Sequence, residues 1–240
     1  LGGKSSINVG GIKNLAGNIY PPRRVLVDIQ TSRSLPVVAK VSGFAEAVKI
    51  CFARGASAFE EFQRIDLRPS DFGASRKIED SIRLTDLSLR AKKWFIEIDE
   101  FDKKERLLLN FGHTFAHALE AAVGLQIPHG VAVAIGMGAA IHFDPKYSQS
   151  EAALLEYIHK LAAELPADFR QNFPEVDWDV FREAISRDKK GNSSHIRFVL
   201  PDASGLLQIV SVERAESTLL RAGEATALSL RSFLDRIPVQ

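Results

Sequence analysis

The chain has 240 residues, 31 Lys and Arg against 30 Asp and Glu, 45% hydrophobic residues, one Cys and six His. The near-neutral balance gives no reason to expect a nucleic-acid or other polyanion-binding protein. One Cys excludes a disulfide framework and a Cys-rich zinc module, and no uncharged apolar run reaches the roughly 18–20 residues of a membrane span. The opening LGGKSSINVGG does not have the form of a secretory leader. The expected class is a soluble, cytoplasmic globular protein with enough length for one large or two small domains.

In chain order, residues 1–24 read as a loop, with glycines at 2, 3, 10, 11 and 17 and then Pro21-Pro22. Arg24-Val-Leu-Val-Asp28 reads as a short buried strand. After Pro36, apolar residues at helical spacing predict a helix from Val38 to about Gln63. A second helix is expected from about Arg76 to Phe95. A third runs from about Lys103 to Val123 and stops at Gly124. The segment His129–Phe143 follows Pro128, is apolar nearly all round and is therefore expected at the centre of the fold. A helix over about Ser150–Leu165, two short strands at Ile196–Leu200 and Leu206–Val210, and a last helix over about Glu213–Leu234 complete the series. A lone strand is not stable by itself. The expectation is a chain that forms the C-terminal part of a longer protein, with the remaining strands elsewhere.

Three of the six His fall in one window. His113 and His117 lie four residues apart on the third helix and share a face, and His129 opens the next helix. An antiparallel helix pair would bring His129 back to that face. Imidazoles converging from two helices suit a zinc-type divalent metal that takes one more protein ligand. Glu46 is the best carboxylate candidate. On spacing alone the three His with Glu46 stand against the plainer reading of ordinary core or surface histidines. Arg106, Asn110, His113 and His117 form one stripe on the expected helix, which suggests a lined polar cavity rather than a solvated face. Lys49 lies one turn from Glu46, Lys92 ends the second helix, and Lys189-Lys190 follow Asp188. The opening Gly-Gly-Lys4 with Lys13-Asn14 suits an anion cradle, although it is neither a Walker loop nor GxGxxG.

The stretches GGKSSINVGGIKNLAGNIYPPRRVLVD, SGFAEAVK, ERLLLNFGHTFAHALE, PHGVAVAIGM and RDKKG with IRFVLP resemble, in order, dehydroquinate synthase and the wider sugar-phosphate cyclase family. The resemblance implies a mainly α C-terminal metal-binding domain (residues 35–240) plus the end of an N-terminal α/β, Rossmann-like nucleotide-binding domain (residues 1–34). It implies NAD and one divalent metal, zinc or cobalt, as cofactors. Carried over, it makes Glu46, His113 and His129 the metal ligands and moves His117 to a substrate contact near the phosphate. Lys49, Lys92, Arg106 and Asn110 would hold substrate hydroxyls and carboxylate, beside Asp102. Lys4, Asn14 and one of Lys189 and Lys190 would meet the phosphate. Lys4, Lys13 and the turn Thr31, Ser32, Arg33 and Ser34 would touch NAD.

The implied chemistry is removal and return of a hydride by NAD, elimination of phosphate, then ring opening and intramolecular aldol closure. A guanidinium fork suits a carboxylate, so Arg106 with Asn110 favours 3-deoxy-arabino-heptulosonate 7-phosphate as substrate. The product is then 3-dehydroquinate, in the shikimate pathway of aromatic amino acid biosynthesis. The alternatives are an aminodehydroquinate or other sugar-phosphate cyclase, a non-catalytic relative, and, less favoured, an iron-type alcohol dehydrogenase. The expected partner is a small phosphorylated sugar acid, with no nucleic acid or membrane, in a homodimer. Five positions depart from the family pattern: Asp102 for Glu, Val131 for the Glu of HGEAV, Ala116 for Gly, and Val38-Ala39 for Arg-Glu. The Gly-rich loop for the NAD pyrophosphate has no counterpart in the sequence, so the chain is expected to be inactive by itself.

Overall fold

A computed structural model describes residues 3–9, 12–146, 148–187 and 194–239. Its organising element is α5 (His129–Phe143), where every residue from Gly130 to Ile141 is buried. The sequence expectation of a central helix thus holds, because HGVAVAIGMGAAIHF has no charged side chain to turn toward water. Around it pack α1 (Val37–Arg54), α4 (His113–Ala122), α6 (Gln149–Ala163) and α9 (Glu216–Leu234).

Small residues let these helices approach closely. A Cβ added to Gly130 would lie 2.1 Å from the carbonyl oxygen of Ser42 on α1. One on Gly136 would lie 2.3 Å from the carbonyl oxygen of Gly112, just before α4. Gly138 faces Ser229 of α9, whose hydroxyl donates to the Ile135 carbonyl at 2.7 Å. Backbone contacts of this kind fix helix positions to within a fraction of an ångström.

Several sequence expectations need correction. The helix expected over 38–63 breaks at Gly55, where φ is +115°, into α1 and α2 (Ala56–Gln63). The helix expected over 103–123 is a 3-10 segment, Glu105–Asn110, followed by α4. Gly112 stands between them at φ +75°, a left-handed conformation that suits glycine. The stripe from Arg106 to His117 is therefore not one helical face. α3 (Ile78–Ile98) matches its expectation with a small shift.

Residues 1–24 are not simply loop. β1 (Lys4–Val9) and β2 (Ile12–Ile19) pair antiparallel, Lys4 opposite Ile19 and Val9 opposite Ile12. The density of glycines in this stretch of the sequence is what suggests a loop. Arg24–Asp28 is not a strand. Its Leu26 is 85% exposed, and no strand lies beside it among the described residues to pair with its backbone.

α7 (Ala167–Gln171) and α8 (Trp178–Ser186) occupy a stretch for which no element was expected. β3 (His195–Pro201) and β4 (Leu207–Glu213) form the expected hairpin, with Ile196, Phe198 and Leu200 turned into the core. Among the described residues no helix is long and apolar enough to cross a membrane.

Candidate metal centre

α1, α4 and α5 each bring one side chain to the same point. The contact of Gly130 with Ser42 sets the start of α5 against α1, and Glu46 lies one turn beyond Ser42 on the same face. His129 is the first residue of α5 and His113 the first of α4. The result is that Glu46 Oε1 stands 3.8 Å from His113 Nε2 and 3.7 Å from His129 Nε2.

That oxygen is buried and accepts no hydrogen bond among the described residues. A buried carboxylate oxygen left without a donor is unfavourable by itself. Two imidazole nitrogens at nearly equal separation complete a carboxylate–imidazole donor set of the kind zinc and cobalt take.

The tautomers agree with this. His113 Nδ1 lies 3.2 Å from the Phe111 carbonyl, and His129 Nδ1 lies 3.0 Å from Glu120 Oε1. Carbonyl and carboxylate oxygens only accept, so each Nδ1 carries a hydrogen and the Nε2 atoms are the ones that face Glu46. The donor atoms of His113, His117 and His129 all lie within 4.8 Å of one another. The structure thus assembles both the spacing-based set and Glu46. His117 is exposed, and its ring lies nearly parallel to that of His129 at 5.7 Å.

Beside His113 opens a cavity of about 200 Å³ lined by Glu46, Lys49, Lys92, Asp102, Arg106 and Asn110. The structure gathers these side chains from α1, α3 and residues 102–110, and Arg106, Asn110 and His113 meet here although they do not share one helical face. Lys49 is buried, with Nζ 2.8 Å from Glu46 Oε2 and 3.4 Å from His113 Nε2. Arg106 is buried, and its Nη1 donates to the Glu100 carbonyl at 2.7 Å, which directs its guanidinium. Asp102 has φ +61°, unusual for a residue other than glycine. Residues 99–106 form one lip of the cavity, which Asp99 shapes by accepting from the backbone N–H groups of Lys103, Lys104 and Arg106.

Other expected residues are not brought there. Thr31, Ser32, Arg33 and Ser34 form a 3-10 turn and do not line the cavity. Thr31 Oγ1 donates to the Asp28 carbonyl and Ser32 Oγ to that of Ile29. Lys189 and Lys190 lie outside the described residues, as do the side chains of Lys4, Lys13 and Asn14.

Glu120 and Asp99 were not singled out from the sequence. Glu120 ends the HTFAHALE run and is the one acidic residue of α4. Its burial, which the structure shows, is what marks it, since an acidic residue is rarely buried without a partner.

Residues 43–191, more than half of the chain, match the family model described as 3-dehydroquinate synthase C-terminal. The chain belongs to this family. Among curated members, the 3-dehydroquinate synthase of Dictyoglomus turgidum is 35% identical over 211 residues, covering 88% of this chain and 58% of its own length. That of Rhodopirellula baltica is 34% identical over 227 residues, covering 91% and 57%. The chain therefore spans less than two thirds of these 3-dehydroquinate synthases.

Among solved structures, a 2-deoxy-scyllo-inosose synthase complexed with carbaglucose-6-phosphate, NAD+ and Co2+ superposes with a TM-score of 0.73 at 22% identity. It covers 93% of this chain and 61% of that one. ValA, a 2-epi-5-epi-valiolone synthase of Streptomyces hygroscopicus with NAD+ and Zn2+ bound, gives 0.71 at 19% identity, covering 98% and 62%. These two likenesses show that the chain shares the fold of the corresponding parts of these two synthases.

Proposed function

We propose that the chain is the metal- and substrate-holding part of a 3-dehydroquinate synthase, with residues 35–240 as that domain. The observation that carries the reading is the buried, undonated Oε1 of Glu46 facing two imidazole nitrogens. Glu46, His113 and His129 would hold zinc or cobalt, and the bound ion would polarise substrate oxygens. Family membership and the metals and NAD+ named in the structural neighbours support this pair of cofactors.

The chain's own residues do the positioning. Lys49 is held beside Glu46 by their ion pair, in the wall of the cavity, and would meet substrate hydroxyls there. Arg106, directed by the Glu100 carbonyl, and Asn110 take the substrate carboxylate, for which a planar fork is suited. His117, exposed beside the ring of His129, contacts the phosphate. Holding the substrate in one geometry supplies much of what an intramolecular elimination and aldol closure require. The hydroxyls of Thr31 and Ser32 are engaged with the carbonyls of Asp28 and Ile29.

The substrate on this reading is 3-deoxy-arabino-heptulosonate 7-phosphate, the product 3-dehydroquinate with inorganic phosphate, and the setting the shikimate pathway.

Two measurements test the proposal. Elemental analysis after cobalt or zinc loading is expected to give one ion per chain, lost in Glu46→Ala and in His129→Ala. Unchanged metal content in both variants would refute the ligand assignment. Calorimetric titration of the loaded chain is expected to show the heptulosonate phosphate binding more tightly than glucose 6-phosphate, a preference lost in Arg106→Ala. Equal affinity for both sugars in the wild-type chain would refute the carboxylate assignment and favour a different cyclase branch.

A further inference from the structure

We infer that Glu120 is a positioning residue for the metal centre, holding His129 in the tautomer and orientation that turn its Nε2 toward Glu46. The inference rests on the metal reading proposed above. Glu120 sits in the last turn of α4, is 5% exposed, and places Oε1 3.0 Å from His129 Nδ1. With the hydrogen fixed on Nδ1, the lone pair of His129 lies on Nε2, 3.7 Å from Glu46 Oε1.

The connection between α4 and α5 is shaped to make this meeting. Glu120 carries both halves of it. Its carbonyl accepts from Leu125 N–H at 2.7 Å, closing the turn, while its carboxylate reaches the first residue of α5. Gly124 and Leu125 both have positive φ, +62° and +60°. Leu125 is 69% exposed and gains little packing in return for an unfavourable backbone conformation. The turn is thus held by what lies on either side of it, and the Glu120–His129 contact spans it.

A purely structural pair would explain a buried carboxylate beside a histidine. It would not explain the direction in which both imidazoles point. At His113 the Phe111 carbonyl performs the same task on Nδ1, so two unrelated acceptors hold two rings with both Nε2 atoms aimed at one oxygen. A carboxylate on the distal nitrogen also makes the imidazole a stronger donor to a metal than a carbonyl would.

The experiment measures zinc and cobalt affinity of the full chain by competition with a chelating dye, for wild type, Glu120→Gln, Glu120→Ala and Glu46→Ala. Glu120→Ala is expected to bind about 10–100-fold more weakly. Glu120→Gln is expected to fall between it and wild type, because the amide oxygen still accepts from Nδ1 but carries no charge. Ring nitrogen NMR of the metal-free chains supplies a second readout. His129 is expected to be Nδ1-protonated in wild type and Glu120→Gln and a tautomer mixture in Glu120→Ala.

Wild-type affinity in a folded Glu120→Ala overturns the inference and leaves the metal reading intact. So does an Nε2-protonated His129 in the wild-type chain, a result that does not depend on how either variant folds. A wild-type chain that binds neither ion overturns the metal reading and this inference with it.

Discussion

Gly130 and Ser42 touch with no room for a side-chain carbon between them. The Gly130 N–H donates to Ser42 Oγ at 2.9 Å, and a Cβ at Gly130 would overlap the Ser42 carbonyl, carbon and hydroxyl together. Because two of those atoms are backbone, no rotamer change relieves the overlap, and α1 and α5 must separate. Glu46 and His129 ride on those two helices, so their 3.7 Å separation depends on this contact.

Gly130→Ala is therefore expected to lower stability by about 1–3 kcal/mol, or about 2–4 °C of Tm per kcal/mol in a chain of this size. It is also expected to weaken zinc binding although it removes no ligand. Gly43→Ala is the control. Nothing lies within 4 Å of a Cβ there, and replacing an exposed helical glycine stabilises by up to about 1 kcal/mol. Thermal unfolding and zinc titration of both variants check this. Equal behaviour of the two would show that the contact does not set the helix spacing.

The parts of the fold legible in the sequence are those carried by strong local patterns. α5 was readable because an uninterrupted apolar run leaves it no exposed face, and the β3–β4 hairpin because its turn is written Asp-Ala-Ser-Gly. The break at Gly112 was not, since its cause lies across the fold, where Gly112 meets Met137 and Gly136 of α5. The same break removed the supposed helical stripe, and yet Arg106, Asn110 and His113 still meet at the cavity. Their meeting there does not need a shared helical face, because the turn at Gly112 carries the chain from the 3-10 segment into α4. Glu120 was missed because an acidic residue near a helix end reads as solvated. Only the return of α5 shows what it faces.

Cys51 is expected to be chemically silent in the folded chain. Burial is the main cause that pushes its thiol up to about 12, and the hydrogen bond with Ser88 only partly offsets it. At pH 8 the thiolate is then present at roughly one part in ten thousand, and the thiolate is the reactive form. Iodoacetamide at pH 8 should leave native protein unmodified by mass and label it once in urea. Rapid labelling of the native chain would show that α1 opens on the time scale of the reaction.

Zinc should stabilise the chain in proportion to its occupancy of the Glu46 centre. Binding to the folded state alone contributes about 2.7 kcal/mol at a free zinc concentration 100 times Kd, which is about 5–11 °C in Tm for this size. The rise should be absent in Glu46→Ala, His113→Ala and His129→Ala. In Glu46→Ala the metal-free Tm should also fall, because Lys49 is left buried without its 2.8 Å partner. In His117→Ala the zinc-induced rise should survive. Loss of that rise in His117→Ala would return His117 to the ligand set.

Asp99 is expected to make the cavity lip sensitive to acid. Burial alone would raise its carboxyl, but the N–H groups of Lys103, Lys104 and Arg106, helped by the Arg106 guanidinium, outweigh that and hold it below the ordinary carboxylate range. The charged form is thus favoured by folding. With the folded pKa below the unfolded one, the stabilisation is complete above the unfolded value of about 4. It is lost as pH falls through the folded value. Asp99→Asn should therefore be less stable than wild type at pH 7, with the difference shrinking below about pH 4. In that variant the amides of Lys103, Lys104 and Arg106 should exchange faster, since those are the donors Asp99 holds. Arg106 hangs from the same loop through the Glu100 carbonyl, so Asp99→Asn should also weaken heptulosonate phosphate binding at pH 7 while leaving zinc affinity unchanged. A stability difference that is the same at pH 7 and pH 3, or unaltered exchange at those three amides, would show that Asp99 does not hold the lip.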